Sequence, residues 1–156
     1  MPAQSAGILL YRLKNQRWQF FLIHMGGPFW SRKDEGAWSI PKGELQNDEN
    51  ALEAAKREFT EETSFKIGGN LIPLTPIKQS GGKTVAAFAL EGDCDPNAIK
   101  SNTFELEWPP RSGRRQQFPE ADRAEWFSYE EALLKVVKGQ QNFLTELNFL
   151  LTKSCC

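Results

Sequence analysis

Three carboxylates crowd one turn of a predicted helix. Glu58, Glu61 and Glu62 stand at i, i+3 and i+4, and at about 100° per residue such positions share a helix face. Like charges at that spacing destabilise a helix by about 0.2–0.5 kcal/mol per pair. They also lie near the helix C-terminus, where the helix dipole disfavours negative charge. Helix physics alone does not reward the arrangement, whereas a bound divalent cation would. Oxygen-only ligands suit magnesium or manganese rather than zinc. His24 is the single histidine, which excludes a histidine-rich metal site. The same three residues would also serve as an ordinary solvated acidic face.

The surrounding residues sharpen the choice. Gly43 to Phe65 reads G-x5-E-x7-R-E-F-x-E-E-x-S-F. This closely resembles the Nudix box, usually G-x5-E-x7-R-E-U-x-E-E-x-G-U with U an apolar residue. It covers 23 of the 156 residues. Ser64 stands where that family usually has the glycine that follows the catalytic helix. A left-handed conformation there would cost a serine ~1–2 kcal/mol, yet the change removes no metal ligand. The segment Asp122 to Leu133 also resembles the last strand and helix of Nudix domains.

The resemblance implies a magnesium- or manganese-dependent hydrolase of pyrophosphate linkages. By motif position, Glu58, Glu61 and Glu62 resemble its metal ligands, and the Gly43 carbonyl a further one. Glu49 and Arg57 resemble the pair that braces the loop before the helix. Together Glu49, Arg57, Glu58, Glu61 and Glu62 form the expected catalytic set. The general base would be a glutamate of the box or one from a later loop, Glu120 or Glu125.

Several residues point to the substrate. Lys42, in Pro41-Lys42-Gly43-Glu44, stands where many relatives that cleave nucleoside triphosphates carry glycine. It looks more like branches acting on dinucleoside polyphosphates or diphosphoinositol polyphosphates. A lysine beside the metal loop adds a point charge for a long phosphate chain. Arg111, Arg114 and Arg115 cluster in a chain that is otherwise nearly neutral, and guanidinium forks bind phosphate. The loop from Gly26 carries Phe29, Trp30, Arg32 and Lys33 and runs to Trp38, and its aromatic faces, like that of Trp108, could stack a base. Lys42, Trp38, Arg111, Arg114, Arg115 and Glu120 are the expected substrate contacts. His24, ending a strand, reads as packed or on the surface rather than catalytic.

The expected substrate is a nucleoside diphosphate linked to another moiety, with dinucleoside polyphosphates such as diadenosine tetraphosphate preferred. Nucleoside triphosphates, nucleotide sugars and ADP-ribose are the enzymatic alternatives. A non-catalytic nucleotide sensor on the same scaffold is the alternative of another class.

These residues need a scaffold to bring them together. Ala6 to Leu13 and Trp18 to His24 read as antiparallel strands joined by a turn at Lys14 to Arg17, and Ala37 to Ile40 as a short strand. Asn47 or Asp48 would cap a helix from about Glu49 to Glu62. Ala51, Leu52, Ala54, Ala55 and Phe59 lie on or beside its apolar face. Leu71 to Lys78, Thr84 to Leu90, Phe104 to Trp108 and Ala124 to Phe127 read as strands, and Pro109 to Glu120 as a polar loop. Tyr129 to Val137 and Gln141 to Leu151 read as amphipathic helices. The class is α/β (α+β). The resemblance implies an α/β/α sandwich around a mixed central sheet, as a single domain over residues 1–156.

Lys and Arg total 19 against 20 Asp and Glu, a formal net charge of -1. That argues against a duplex nucleic-acid partner, which calls for a basic excess. A small-molecule nucleotide is the expected partner, for a monomer or homodimer. There is neither an apolar run long enough to span a membrane nor a signal peptide. Cys94, Cys155 and Cys156 fit no disulfide framework and read as reduced thiols in a cytoplasmic protein.

Overall fold

A computed structural model describes residues 4–79 and 82–153. Its first strand, β1 (Gln4–Lys14), turns at Asn15 and Gln16 into β2 (Arg17–Met25), as expected. Two short strands follow, β3 (Trp38–Ser39) and β4 (Lys42–Glu44), and then helix α1 (Ala51–Thr63). The region read as one strand from Leu71 is two short ones, β5 (Ile72–Pro73) and β6 (Ile77–Lys78). Next come β7 (Thr84–Glu91), β8 (Thr103–Glu107), β9 (Arg115–Pro119) and β10 (Ala121–Phe127). Helices α2 (Tyr129–Lys135) and α3 (Gln141–Lys153) close the described chain. None of its helices is long and apolar enough to cross a membrane. Cys94 is a free thiol. Cys155 and Cys156 lie outside the described residues.

Eight of these strands form one mixed sheet, with the path β10-β2-β1-β7-β5; β3 and β4 pair with β2 and β1, and β6 with β7. The pairing of β1 with β7 is parallel, and the others in this sheet are antiparallel. Central strand β1 shows why its sequence is apolar throughout. Successive side chains of a strand face opposite sides. Leu9 and Tyr11 enter one core with Trp38, Phe143, Leu144 and Leu147. Ala6, Ile8 and Leu10 enter the other with Ala54, Ala55 and Phe59. Helix α1 therefore covers one face while α2 and α3 cover the other, the expected sandwich.

Two boundaries differ from the sequence reading. The N-cap of α1 is Asn50, not Asn47 or Asp48. Its side chain accepts from the Glu53 amide at 2.8 Å, and the Glu53 carboxylate accepts in return from the Asn50 amide. This reciprocal pair satisfies two otherwise unpaired amides. Leu52 proves exposed, leaving Ala54, Ala55 and Phe59 as the buried face. The segment read as a polar loop contains β9, which pairs with β8 in a separate hairpin.

Candidate active site

Helix α1 presents its last turns to β4, and this contact sets the site. Arg57 is the hub. Its guanidinium grips both Glu49 oxygens, at 2.8 and 2.9 Å, and donates to the Glu44 carbonyl at 3.0 Å. It also reaches Glu58 at 2.7 Å and Glu61 at 2.9 Å. The Arg57 fork and the Gln46 amide hold the Glu49 carboxyl down at about 2. The same bonds, Glu49 first, raise the proton affinity of Arg57 further. The loop before α1 is thus tied to the helix by charge-assisted bonds, the strong class.

The close trio of carboxylates is Glu58, Glu62 and Glu120, each with an oxygen within 4.8 Å of the others. This differs from the expected Glu58, Glu61 and Glu62. Arg57 lies four residues before Glu61, within side-chain reach on a helix, and draws that carboxylate away from the trio. Glu120, in the bend between β9 and β10, supplies the third group. Glu62 is 7% exposed, and its Oε2 has no hydrogen-bond partner. Burial pushes its carboxyl up to about 9, with the Glu58 and Glu120 charges adding to the effect. Burial also raises Glu58, against the pull of Arg57. Glu120 is raised by burial, then by Glu58 and Glu61. An unpartnered buried oxygen among mutually repelling carboxylates is the environment that a hard cation relieves. Gly43 faces the trio so closely that a Cβ there would overlap the Glu58 carboxyl.

The trio opens into a cavity of about 500 Å³ whose lining includes Lys42, Gly43, Trp30 and Phe104. Lys42 is half-buried, and burial lowers its proton affinity although Glu62 and Glu58 pull the other way. Trp30 was raised from the sequence only as one aromatic of its loop. Phe104 was missed as a site residue; its one signal was its place at the head of a predicted strand.

The remaining expected contacts divide. Trp38 is 1% exposed: its indole N–H donates to Asp34 at 2.9 Å and its ring packs edge-on against His24 and Phe127. It has no face to offer a base, which corrects the sequence reading. Arg111, Arg114 and Arg115 lie exposed on the β8–β9 hairpin, away from the cavity, and Arg115 pairs with Glu105. They do not converge on the trio. Glu125 is exposed and outside the cavity, so of the two later candidate bases only Glu120 reaches it. Ser64 takes the left-handed conformation, at φ 69°. Its hydroxyl donates to the Lys100 carbonyl at 2.6 Å, which offsets the backbone cost.

A family profile described as NUDIX domain matches residues 1–147. No curated protein matches the sequence. Among solved structures, a Caenorhabditis elegans Ap4A hydrolase in a binary complex superposes with a TM-score of 0.68 at 19% identity, covering 97% of this chain and 98% of that one. A mutT/nudix family protein from Listeria innocua gives 0.66 at 22%, covering 99% and 97%. The NUDIX domain of Shewanella oneidensis NrtR, complexed with ADP ribose, gives 0.64 at 13%, covering 97% and 89%.

Proposed function

We propose, from the premise that this chain belongs to the NUDIX domain family and is a pyrophosphohydrolase acting on acid anhydrides, that it cleaves nucleoside diphosphates linked to a further phosphate-bearing moiety, dinucleoside polyphosphates foremost. One observation carries the reading: the buried, unpartnered oxygen of Glu62 stands beside Glu58 and Glu120 and opens onto a cavity that Lys42 also lines.

The donor set fits magnesium or manganese, since its groups are all oxygens. Glu58 and Glu62, with the Gly43 carbonyl, would hold the ion; Glu61 joins them only by leaving Arg57. Such an ion, when bound, screens phosphate charge and acidifies water. Glu49 and Arg57 keep the loop fixed against the helix, so the carboxylates do not have to reorganise. Glu120 takes a proton from the attacking water, a role supported by its raised proton affinity. Water adds to phosphorus, the bridging oxygen leaves with the second phosphate, and two phosphate products form. Lys42 neutralises a phosphate further along the chain, and Trp30 and Phe104 offer faces to a base.

The test is a panel of diadenosine tetraphosphate, ADP-ribose, a nucleotide sugar and nucleoside triphosphates, with magnesium or manganese and chromatographic product identification. Diadenosine tetraphosphate should lead in kcat/KM, and Glu62→Gln should lose turnover by orders of magnitude with native far-UV circular dichroism. A lead for ADP-ribose or a triphosphate would overturn the substrate assignment. Binding without turnover across the whole panel would overturn the catalytic one in favour of a sensor.

A further inference from the structure

The single histidine is buried with two acceptors. His24 Nε2 lies 2.7 Å from the Lys33 carbonyl and Nδ1 lies 2.8 Å from Asp122 Oδ1. A carbonyl and a carboxylate only accept hydrogen bonds, whereas a neutral imidazole donates from one nitrogen alone. The ring can satisfy both partners only by donating from both nitrogens. The geometry is arranged around it. Asp122 is the extra residue of an irregularity in β10, where Ala121 pairs with Met25 and Arg123 with His24. Such a bulge re-aims a side chain.

The two partners belong to different parts of the site. Lys33 lies in the loop between β2 and β3, and its own amide donates to the Trp30 carbonyl at 3.0 Å. Trp30 lines the cavity. Asp122 follows Glu120 by two residues, and the Glu120 carbonyl accepts from the Gly26 amide at 3.0 Å. Other charged groups surround the ring. Arg123 of β10 stacks over Trp38, which itself packs against His24, and Asp34 of the loop pairs with Lys135 of α2.

We propose that His24 is a positioning residue: donating from both ring nitrogens, it clamps the Trp30 loop to the strand that follows Glu120 and so holds one wall of the substrate cavity in register with the acidic trio. The consequence for catalysis rests on that cavity being the substrate site. The state of the ring does not, and it is read without substrate.

Because His24 is the only histidine, its imidazole nitrogens are identified directly in a nitrogen-15 NMR spectrum of the intact, substrate-free protein at neutral pH. A ring protonated at both nitrogens is expected. In Asp122→Asn, whose amide can turn to donate, the ring should revert to one proton on Nε2 while the Lys33 bond persists. A wild-type ring with a single proton would overturn the proposal whatever the enzyme hydrolyses. In the kinetic arm, His24→Leu should raise the nucleotide KM on the order of tenfold, the scale of one base stack, with kcat within about twofold and manganese affinity unchanged. His24→Gln, which retains a donor for Lys33, should recover part of the KM. A folded His24→Leu that loses kcat at unchanged KM would refute the clamp. Should the leucine variant not fold, the wild-type and Asp122→Asn spectra decide alone.

Discussion

Glu62→Gln keeps the shape of a buried carboxyl and removes its proton equilibrium. In the metal-free chain that carboxyl is held at about 9 against an ordinary 4.5, by burial and then by the Glu58 and Glu120 charges. Between those two values the folded state keeps a proton that the unfolded chain has lost. A state that binds more protons loses stability as pH rises. The wild type should therefore weaken from about pH 4.5 upward until Glu62 ionises in the fold near 9. Each unit is worth up to about 1.36 kcal/mol. At pH 7.5, three units above 4.5, the penalty reaches ~4 kcal/mol, and water entering the open cavity reduces it to about 2–4 kcal/mol. The glutamine carries no such penalty, and its amide can donate to Glu58 or Glu120. The variant should melt higher than the wild type in chelator at pH 7.5, by roughly 5–15 °C at about 2–4 °C per kcal/mol. Magnesium should reverse the ranking, because it stabilises only a chain that can bind it, and wild-type binding should release a proton. Melting curves from pH 5.5 to 8.5, with chelator and with magnesium, measure all of this. A wild-type curve in chelator as flat as that of the variant, or a variant less stable throughout, would refute the reasoning.

Two further outcomes follow from single contacts. Gly43→Ala places a methyl group on the Glu58 carboxyl; turnover and manganese affinity should both fall about 10–100-fold while circular dichroism stays native, as kinetics and calorimetric titration would show. Trp38→Ala should cost about 3–5 kcal/mol in denaturant unfolding, as large core truncations do, with an unchanged nucleotide KM in the folded fraction. A raised KM without lost stability would return Trp38 to the substrate site.

What the sequence revealed depended on whether burial had left a pattern in it. Helices α1 and α3 were legible because each buries one face, which imposes a period of 3.6, and β1 and β2 because burial on both faces leaves a continuous apolar run. Hairpin β8–β9 stands off the main sheet with β9 mostly exposed. Its polar strand β9 had no core to imprint alternation on it, so it read as part of the arginine-rich loop. The helix cap was misplaced because Asn47 and Asp48 have the cap composition, which put Asn50 inside the expected helix. Asn50 is used because Glu53 completes the reciprocal bonds, and because Glu49 must stay outside the helix to accept from the Gln46 amide while it grips Arg57. Trp38 was misread for the opposite reason: a tryptophan beside a Gly/Pro-rich loop has the composition of a stacking residue, and only tertiary packing shows it buried.

The site itself marks the limit of local reading. Helical spacing states which carboxylates share a face, not which of them a nearby arginine captures. Arg57 bonds Glu58 as well as Glu61, so Glu58 belongs both to the brace and to the trio, whereas Glu61 is held by the brace. The third carboxylate of the trio comes from the bend between β9 and β10, far along the chain, and is delivered by the register of β10 against β2. No periodicity within α1 could announce it. A cation held by Glu58, Glu62 and the Gly43 carbonyl would bridge α1 to β4, and the base Glu120 reaches it only across the sheet, so the proposed chemistry cannot be a property of the isolated helix. Loss of the β10 register, with every residue of the Gly43-to-Phe65 motif intact, would be enough to withdraw Glu120 and with it turnover.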